Sequence, residues 1–465
     1  MRRLLIFVLL LAGCGPRIAE LHQVAWDQFT VSEVEPDQPP PAVSVPAGAS
    51  DAVKFEALVA EFRRRLDQAK LPGGAVAVVI DGKLAFSTGI GVKRAGETAP
   101  VTSKTLFRLA STSKVITAIA VHKLVEQGLL DTLDRSVPSL APWFTRRAGD
   151  DVAGVTVDRL LAHTAAIPDD NTVRCPPPAR LRDFFTAQPQ APLLAPPGVV
   201  WNYSNANYLL LGALVEELSG RSFADYVQTQ VLSPAGMTTA TLDVAAAATG
   251  DFAFGHDVKG GLLQDNLYDC ATLHPAGGVV ASVDDFAHLM ESLMAGTVLT
   301  PSSVESLFRP RIANQQQPGR GYAAGVFTVD YQGLPLVMHP GGMPGYAAFF
   351  AMVPSRKFGI VALVNADGAQ PALATAAVDL FLNLPATTPP NRHTPPSTWS
   401  DYEGVYEDPA GVLETFTVSL HDDRLRLEYP RQLQAPPEAY TGVFWRNAQN
   451  HVDYFVTRAG VARRR

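Results

Sequence analysis

Short apolar runs bounded by turn residues open and close the main body of this chain, and helix-spaced apolar positions fill its middle. Residues 54–70 carry apolar side chains along one stripe and charges along the other, the pattern of an amphipathic helix. Residues 74–80 and 83–89 are apolar runs joined by Asp81-Gly82, a dipeptide that tolerates the left-handed backbone of a tight hairpin turn. From residue 111 to about residue 295 the pattern is mostly helical, broken by Pro- and Gly-rich loops. Strand-like runs return at 325–331, 334–338, 347–353 and 359–364, and a helix is predicted over 372–384. Strands at both ends around a helical middle predict an α/β fold of the α+β type. An antiparallel sheet built from N- and C-terminal segments is flanked by helices and carries an inserted helical subdomain.

The ends of the chain read differently. Residues 398–465 alternate in short strands, near 404–406, 414–420, 424–429 and 452–457, and predict a small all-β domain behind a Pro-rich linker at 386–397. Residues 15–50 contain Pro36-Asp37-Gln38-Pro39-Pro40-Pro41 and read as an extended tether. Ahead of it, Met1-Arg2-Arg3 precedes a nine-residue apolar run, Leu4 to Ala12, too short to span a bilayer. Leu11-Ala12-Gly13-Cys14 is similar to a bacterial lipoprotein signal in which Cys14 is lipidated. An ordinary cleaved secretory signal is the alternative. No later stretch has the ~18 uninterrupted apolar residues of a spanning helix. The domains expected are therefore 1–14, 15–50, 51–385, 386–397 and 398–465.

Three short segments carry candidate chemistry. Ser111-Thr112-Ser113-Lys114 opens a helical run, which puts Ser111 and Lys114 on one face. An amine beside a hydroxyl can take its proton and turn a weak nucleophile into a competent one. Alone, the same residues describe a helix cap with a solvated Lys. Tyr203-Ser204-Asn205 lies between an extended piece and an apolar helix, where side chains are displayed. A phenol next to an ammonium can shuttle a proton, and an amide can both donate to a substrate and accept from the Lys. His339-Pro340-Gly341-Gly342 ends a predicted strand, and Pro340 suggests that this strand is an edge. The N–H groups of Gly342 and Ser111 are candidates for an oxyanion hole.

Together these segments resemble the serine β-lactamase and penicillin-binding-protein superfamily, in the branch of class C β-lactamases, D-aminopeptidases, D-alanyl-D-alanine carboxypeptidases and esterases. Asp158-Arg159-Leu160-Leu161-Ala162-His163-Thr164 and Pro275-Ala276-Gly277-Gly278-Val279 extend the resemblance, which covers roughly residues 51–385. It implies that Ser111 is acylated, that Lys114 and Tyr203 share the acid/base work, and that Asn205 orients them; His339 is a candidate substrate-binding residue and a candidate helper of Tyr203 in protonating the leaving group. His163 is expected to fix the loop after its helix. The branch's β-lactamases carry Lys-Thr-Gly where this chain has His339-Pro340-Gly341. A His gives a weaker anion contact than Lys, and Pro340 removes a hydroxyl and an N–H. Esterase or D-amino-acid peptidase activity is therefore expected ahead of efficient β-lactam hydrolysis. Tyr402-Glu403-Gly404-Val405-Tyr406 resembles the start of a lipocalin-like domain that often follows this fold.

Composition narrows the rest. With 47% hydrophobic and 18% charged residues the chain has the balance of a globular enzyme, and a net charge of −7, with basic runs at Arg63-Arg64-Arg65 (a helix face) and Arg463-Arg464-Arg465 (a solvated tail), argues against nucleic acid. The motifs of metal sites, nucleotide loops and α/β-hydrolase elbows are missing, so no cofactor is expected. The resemblance places Cys175 and Cys270 near the active site. They are a candidate disulfide, with two buried thiols as the alternative. The expected protein is a serine hydrolase of the cell envelope, held to the membrane by a lipid and facing the periplasm or exterior, acting on a small-molecule or peptide substrate. A non-catalytic envelope protein that binds peptidoglycan fragments or a protein partner is the rival.

Overall fold

The computed structural model describes residues 17–25, 28–32, 43, 45–146, 150–169, 180–186, 192–256, 273–313, 320–366, 373–384, 399–407, 415–421, 424–429, 441–446, 451–456 and 461–465. The chain divides into two compact units. One is Pro39–Pro389, and the other joins Met1–Gln38 to Pro390–Arg465.

The larger unit is built on an eight-stranded antiparallel sheet. Its order is Lys83–Gly91, Gly73–Ile80, Phe358–Val364, Tyr346–Val353, Leu334–Met343, Phe327–Tyr331, Arg320–Tyr322 and Ile312–Ala313. The hairpin at its start turns through Asp81 and Gly82, both at positive φ (53° and 74°), as the sequence predicts. The join between the chain's two ends is the pairing of Gly74 to Val79 with Val364 to Gly359. Strand Gly73–Ile80 is buried on both faces, which is why it reads as an unbroken apolar run. Its alternate residues serve two cores. Val76 and Val78 pack with Leu58, Phe62 and Leu66 of helix Asp51–Gln68 and with Val378 and Phe381 of helix Leu373–Leu382. Ala75, Ala77 and Val79 face the larger core, formed with the helical subdomain inserted between Gly91 and Ile312.

Helix Ser113–Glu126 runs through that larger core. Every residue from Ser113 to His122 is buried, so this stretch has no solvent face. Helix Asn205–Ser219 lies against it, with Ala206 to Val215 all buried. The two can be this close to the turn at His274–Gly277 because position 212 is a glycine. A Cβ there would come within 2.2 Å of Pro275 Cγ.

Two expectations need correction. Strand Leu334–Met343 is not an edge, since it pairs with Tyr346–Val353 on one side and Phe327–Tyr331 on the other. The second pairing ends at Met338, so Pro340 lies beyond it and is bonded on one side alone. That half-free stretch is what lets a proline occupy an inner strand. The segment 15–50 is not wholly a tether. Strands Arg17–Ala25 and Gln28–Ser32 belong to the second unit, a closed barrel. Its order is Arg17–Ala25, Arg424–Tyr429, Thr415–His421, Gly404–Glu407, Val461–Arg464, Val452–Val456, Thr441–Arg446 and Gln28–Ser32. Closing a sheet needs partners for both edges, and the N-terminal hairpin supplies them. Tyr406, Phe416 and Phe455 form the barrel's aromatic centre, with Tyr406 and Phe416 stacked 5.4 Å apart. Cys14, Cys175, Cys270 and the linker at 386–397 lie outside the described residues. No helix among the described residues is long and apolar enough to cross a membrane.

Substituting Gly212→Ala is expected to cost about 1–3 kcal/mol of stability, because the added methyl overpacks a closed contact. Denaturant unfolding at neutral pH checks this, and an unchanged midpoint would show that the helix and the turn at Pro275 can part freely.

Candidate active site

Ser111 lies in the 3-10 turn Ala110–Thr112, immediately before helix Ser113–Glu126. Ala110 has a φ of 48°, an uncommon backbone for a residue with a Cβ. The turn is held in place by Leu109 N–H donating to Val279 O at 2.9 Å and by Thr112 Oγ1 donating to Leu109 O at 2.8 Å. Such local strain persists only where the surroundings over-determine it. Ser111 itself is partly exposed, while Lys114, one turn on, has no exposed surface.

Three acceptors surround Lys114 Nζ. Ser111 Oγ is at 3.1 Å, Asn205 Oδ1 at 2.8 Å and the Ala276 carbonyl at 2.8 Å. Both carbonyl oxygens can only accept, so they hold two N–H bonds whether the lysine is charged or neutral. Ser111 Oγ takes a third direction from Nζ. That direction carries an N–H in the ammonium form and a lone pair in the amine form. In the second state the Ser111 hydroxyl can donate its proton to Lys114.

Tyr203 stands over the same ammonium, with Nζ 4.9 Å from its ring centroid. Its loop is held by His163, which is fully buried. The Ser204 backbone N–H and the Asn207 amide both approach His163 Nδ1, at 3.2 and 3.1 Å. Nδ1 is therefore an acceptor, and the ring is a scaffold packed 4.4 Å from the Tyr203 ring. Asn205 is the first residue of helix Asn205–Ser219 rather than part of the loop.

The third segment reaches the nucleophile by close backbone approach. A Cβ on Gly341 would lie 2.6 Å from Leu109 O, so only glycine allows the strand to lie against the Ser111 turn. Gly342, the next residue, is exposed, and a Cβ on it would meet nothing within 4 Å. His339 does not line that open side, being 1% exposed. Its Nδ1 lies 2.6 Å from the Pro340 carbonyl, which can only accept, so Nδ1 carries the hydrogen. Its Nε2 is then the acceptor for the Tyr322 hydroxyl at 3.1 Å. Burial, and secondly the charge of Lys114, lower its pKa to about 3. The same burial holds the Tyr322 phenol well above its ordinary value. His339 is thus neutral and turned inward at neutral pH. Its Nδ1–H is directed at the Pro340 carbonyl and its Nε2 at the Tyr322 hydroxyl.

The structure brings together Ser111, Lys114, Tyr203 and Asn205, with Gly341 and Gly342 alongside. Sequence reasoning missed three partners. The Ala276 carbonyl is a backbone group and leaves no mark in a motif. Tyr322 meets His339 only through the fold. Asp169 accepts the Asn205 backbone N–H at 2.8 Å and its side-chain amide at 3.4 Å, across 36 residues of sequence. Among the described residues no group of three or more His, Cys, Asp or Glu side chains converges as a metal site.

The profile of the Beta-lactamase family matches residues 56–383. The chain belongs to the Beta-lactamase family. Protein flp of Staphylococcus aureus is 26% identical over 309 residues, which are 64% of this chain and 61% of that protein. The unguisins hydrolase ungD' of Aspergillus campestris is 26% identical over 411 residues, 83% of this chain and 75% of its own. Two solved structures share the fold. The octameric penicillin-binding protein homologue from Pyrococcus abyssi has a TM-score of 0.64 at 22% identity, covering 89% of this chain and all of its own. SurE has a TM-score of 0.67 at 22% identity, covering 90% of this chain and all of its own. Within this family of serine hydrolases, the chain has histidine, proline and glycine at its third segment.

The buried imidazole makes stability depend on acid. The folded-state pKa of His339 is about 3 against an ordinary 6.5, so the unfolded chain takes up a proton that the folded chain refuses. The contribution is complete above about pH 6.5 and is lost as pH falls towards 3, at up to about 1.4 kcal/mol per pH unit. Between pH 7 and pH 5 the parent protein is expected to lose about 2 kcal/mol more than His339→Gln in denaturant unfolding. Equal losses would mean that His339 can charge in the folded state.

Proposed function

We propose that this protein is a serine hydrolase that cleaves an ester or amide through an acyl-enzyme on Ser111. The observation that carries this reading is the Lys114 hub, where two carbonyl acceptors hold a buried amine within 3.1 Å of the Ser111 hydroxyl. A non-catalytic binder has no use for that arrangement. A relative named as a hydrolase, aligned over 83% of the chain, supports the same reading.

Neutral Lys114 removes the proton as Ser111 Oγ adds to the substrate carbonyl. The oxyanion is received by the Ser111 and Gly342 N–H groups, and the exposed side of Gly342 leaves room for the acyl group. Tyr203, over the lysine, passes the proton to the leaving alcohol or amine as the carbonyl–leaving-group bond breaks. Water then adds to the acyl carbonyl, gives a proton back through the same groups, and expels Ser111. The third segment has no cation to hold a substrate carboxylate, because His339 is neutral and buried. Substrates without a carboxylate beside the scissile bond are therefore favoured, short-chain esters first, ahead of D-amino-acid and cell-wall peptides, with weak β-lactamase activity. Lipidation at Cys14 and a place on the cell envelope belong to the same proposal, supported by the basic residues, apolar run and small residues ahead of that cysteine.

Two outcomes are expected. Ser111→Ala and Lys114→Ala each lower ester hydrolysis on the order of 10,000-fold, and the double variant is no slower than either, because the pair works as a unit. Intact mass after a fluorophosphonate should show an adduct on the parent protein and none on Ser111→Ala. Retained turnover in Ser111→Ala would sink the mechanism. In a bacterial host, Cys14→Ser should move the protein from the membrane fraction to the soluble one. An unaltered distribution would remove the anchor from the proposal.

A further inference from the structure

Asn205 is useful only one way round. Its Oδ1 must face Lys114, because an amide nitrogen there would oppose the ammonium or claim the amine's lone pair and turn it from Ser111. The two ends of an amide are almost the same size, so sterics do not choose between them. A choice has to come from the far side of the group. There the structure holds Asp169, 7% exposed, with Oδ1 accepting the Asn205 backbone N–H at 2.8 Å and Oδ2 facing Asn205 Nδ2 at 3.4 Å. A carboxylate accepts and does not donate, so it draws the amide nitrogen to itself and leaves the oxygen for the lysine.

We propose that Asp169 is a positioning residue, which fixes the orientation of the Asn205 amide and through it the base form of Lys114. The inference rests on the acyl-enzyme reading of Ser111. Asp169 is well placed to act so. It ends a braced segment, residues 163–169, in which His163 and Ala166 take positive φ values of 59° and 57°. Thr164 O accepts from Gly198 N–H at 2.7 Å, Ala166 O from Leu194 N–H at 2.9 Å and Pro168 O from Ser204 Oγ at 3.1 Å. The brace ties the segment that ends at Asp169 to the loop that carries Tyr203.

The distinguishing test compares two substitutions whose order depends on mechanism. In Asp169→Asn the new amide still offers its oxygen to the Asn205 N–H, so its nitrogen faces the Asn205 side chain and favours the flipped, unproductive amide. Asp169→Ala removes contacts but imposes no orientation. A packing role makes the alanine variant the slower one, and a positioning role makes the asparagine variant slower. With p-nitrophenyl butyrate, Asp169→Asn is expected to lower kcat ~100-fold with KM within ~3-fold, and Asp169→Ala to lower it ~10-fold. In an Asn205→Ala background, Asp169→Asn should add less than ~3-fold, since the group it acts through is gone. If Asp169→Ala does not fold, the asparagine variant in the two backgrounds decides. A slower alanine variant, or an asparagine effect undiminished without Asn205, overturns the proposal. Fluorophosphonate labelling separates the two levels. A parent protein that forms no Ser111 adduct overturns this inference together with the hydrolase reading. A labelled parent with an unimpaired Asp169→Asn overturns this inference alone.

Discussion

Water normally satisfies the three N–H groups of a lysine, and taking them into a protein interior costs several kcal/mol unless other acceptors replace it. Lys114 is wholly buried, and its replacements come from three parts of the chain, two of them distant: the turn before its own helix, the start of helix Asn205–Ser219, and the turn at His274–Gly277. Each of those parts is positioned by something else. Gly212 lets the second helix close on Pro275, Val279 anchors the Ser111 turn, and His163 holds the loop that leads into Asn205. The helical subdomain can be understood as the scaffold that delivers acceptors to one ammonium group.

The same arrangement constrains the third segment. In its ammonium form Lys114 places a positive charge in a dry region, and a second charge nearby would be costly. His339 meets that constraint by being neutral, with its hydrogen on Nδ1 and Tyr322 on the other nitrogen. The surrounding rings, Tyr203, Tyr322 and Phe327, keep the imidazole in an apolar setting. The consequence for recognition is that the third segment presents no charged side chain to an acidic group.

The barrel follows a different logic. An open sheet presents two unpaired edges, and closure removes both. The strands from residues 404–464 cannot close alone in the observed order, because Thr441–Arg446 and Arg424–Tyr429 are joined through Gln28–Ser32 and Arg17–Ala25. The N-terminal segment is thus part of a domain whose other strands lie almost four hundred residues later. Its proline-rich neighbour, residues 36–42, dominated the reading of the stretch and hid the hairpin.

Much of this protein was legible in its residues. Continuous apolar runs marked strands buried on both faces, Asp81-Gly82 marked the hairpin, and side chains with an intrinsic chemistry marked a candidate site at Ser111, Lys114, Tyr203 and Asn205, which the fold brings together. These are properties of local spacing, which a linear chain carries on its face. What the chain could not carry is any relation between groups whose identity becomes meaningful only on contact. Asp169 is an ordinary acidic residue until it meets Asn205, and the Ala276 carbonyl is like every other carbonyl until a lysine points at it. His339 read as a ligand-facing histidine, because charge and direction depend on burial, and burial is decided by how the sheet packs on the helices. Sequence by itself determined which chemistry was available, and tertiary structure decided which groups share a hydrogen bond and which are kept from water.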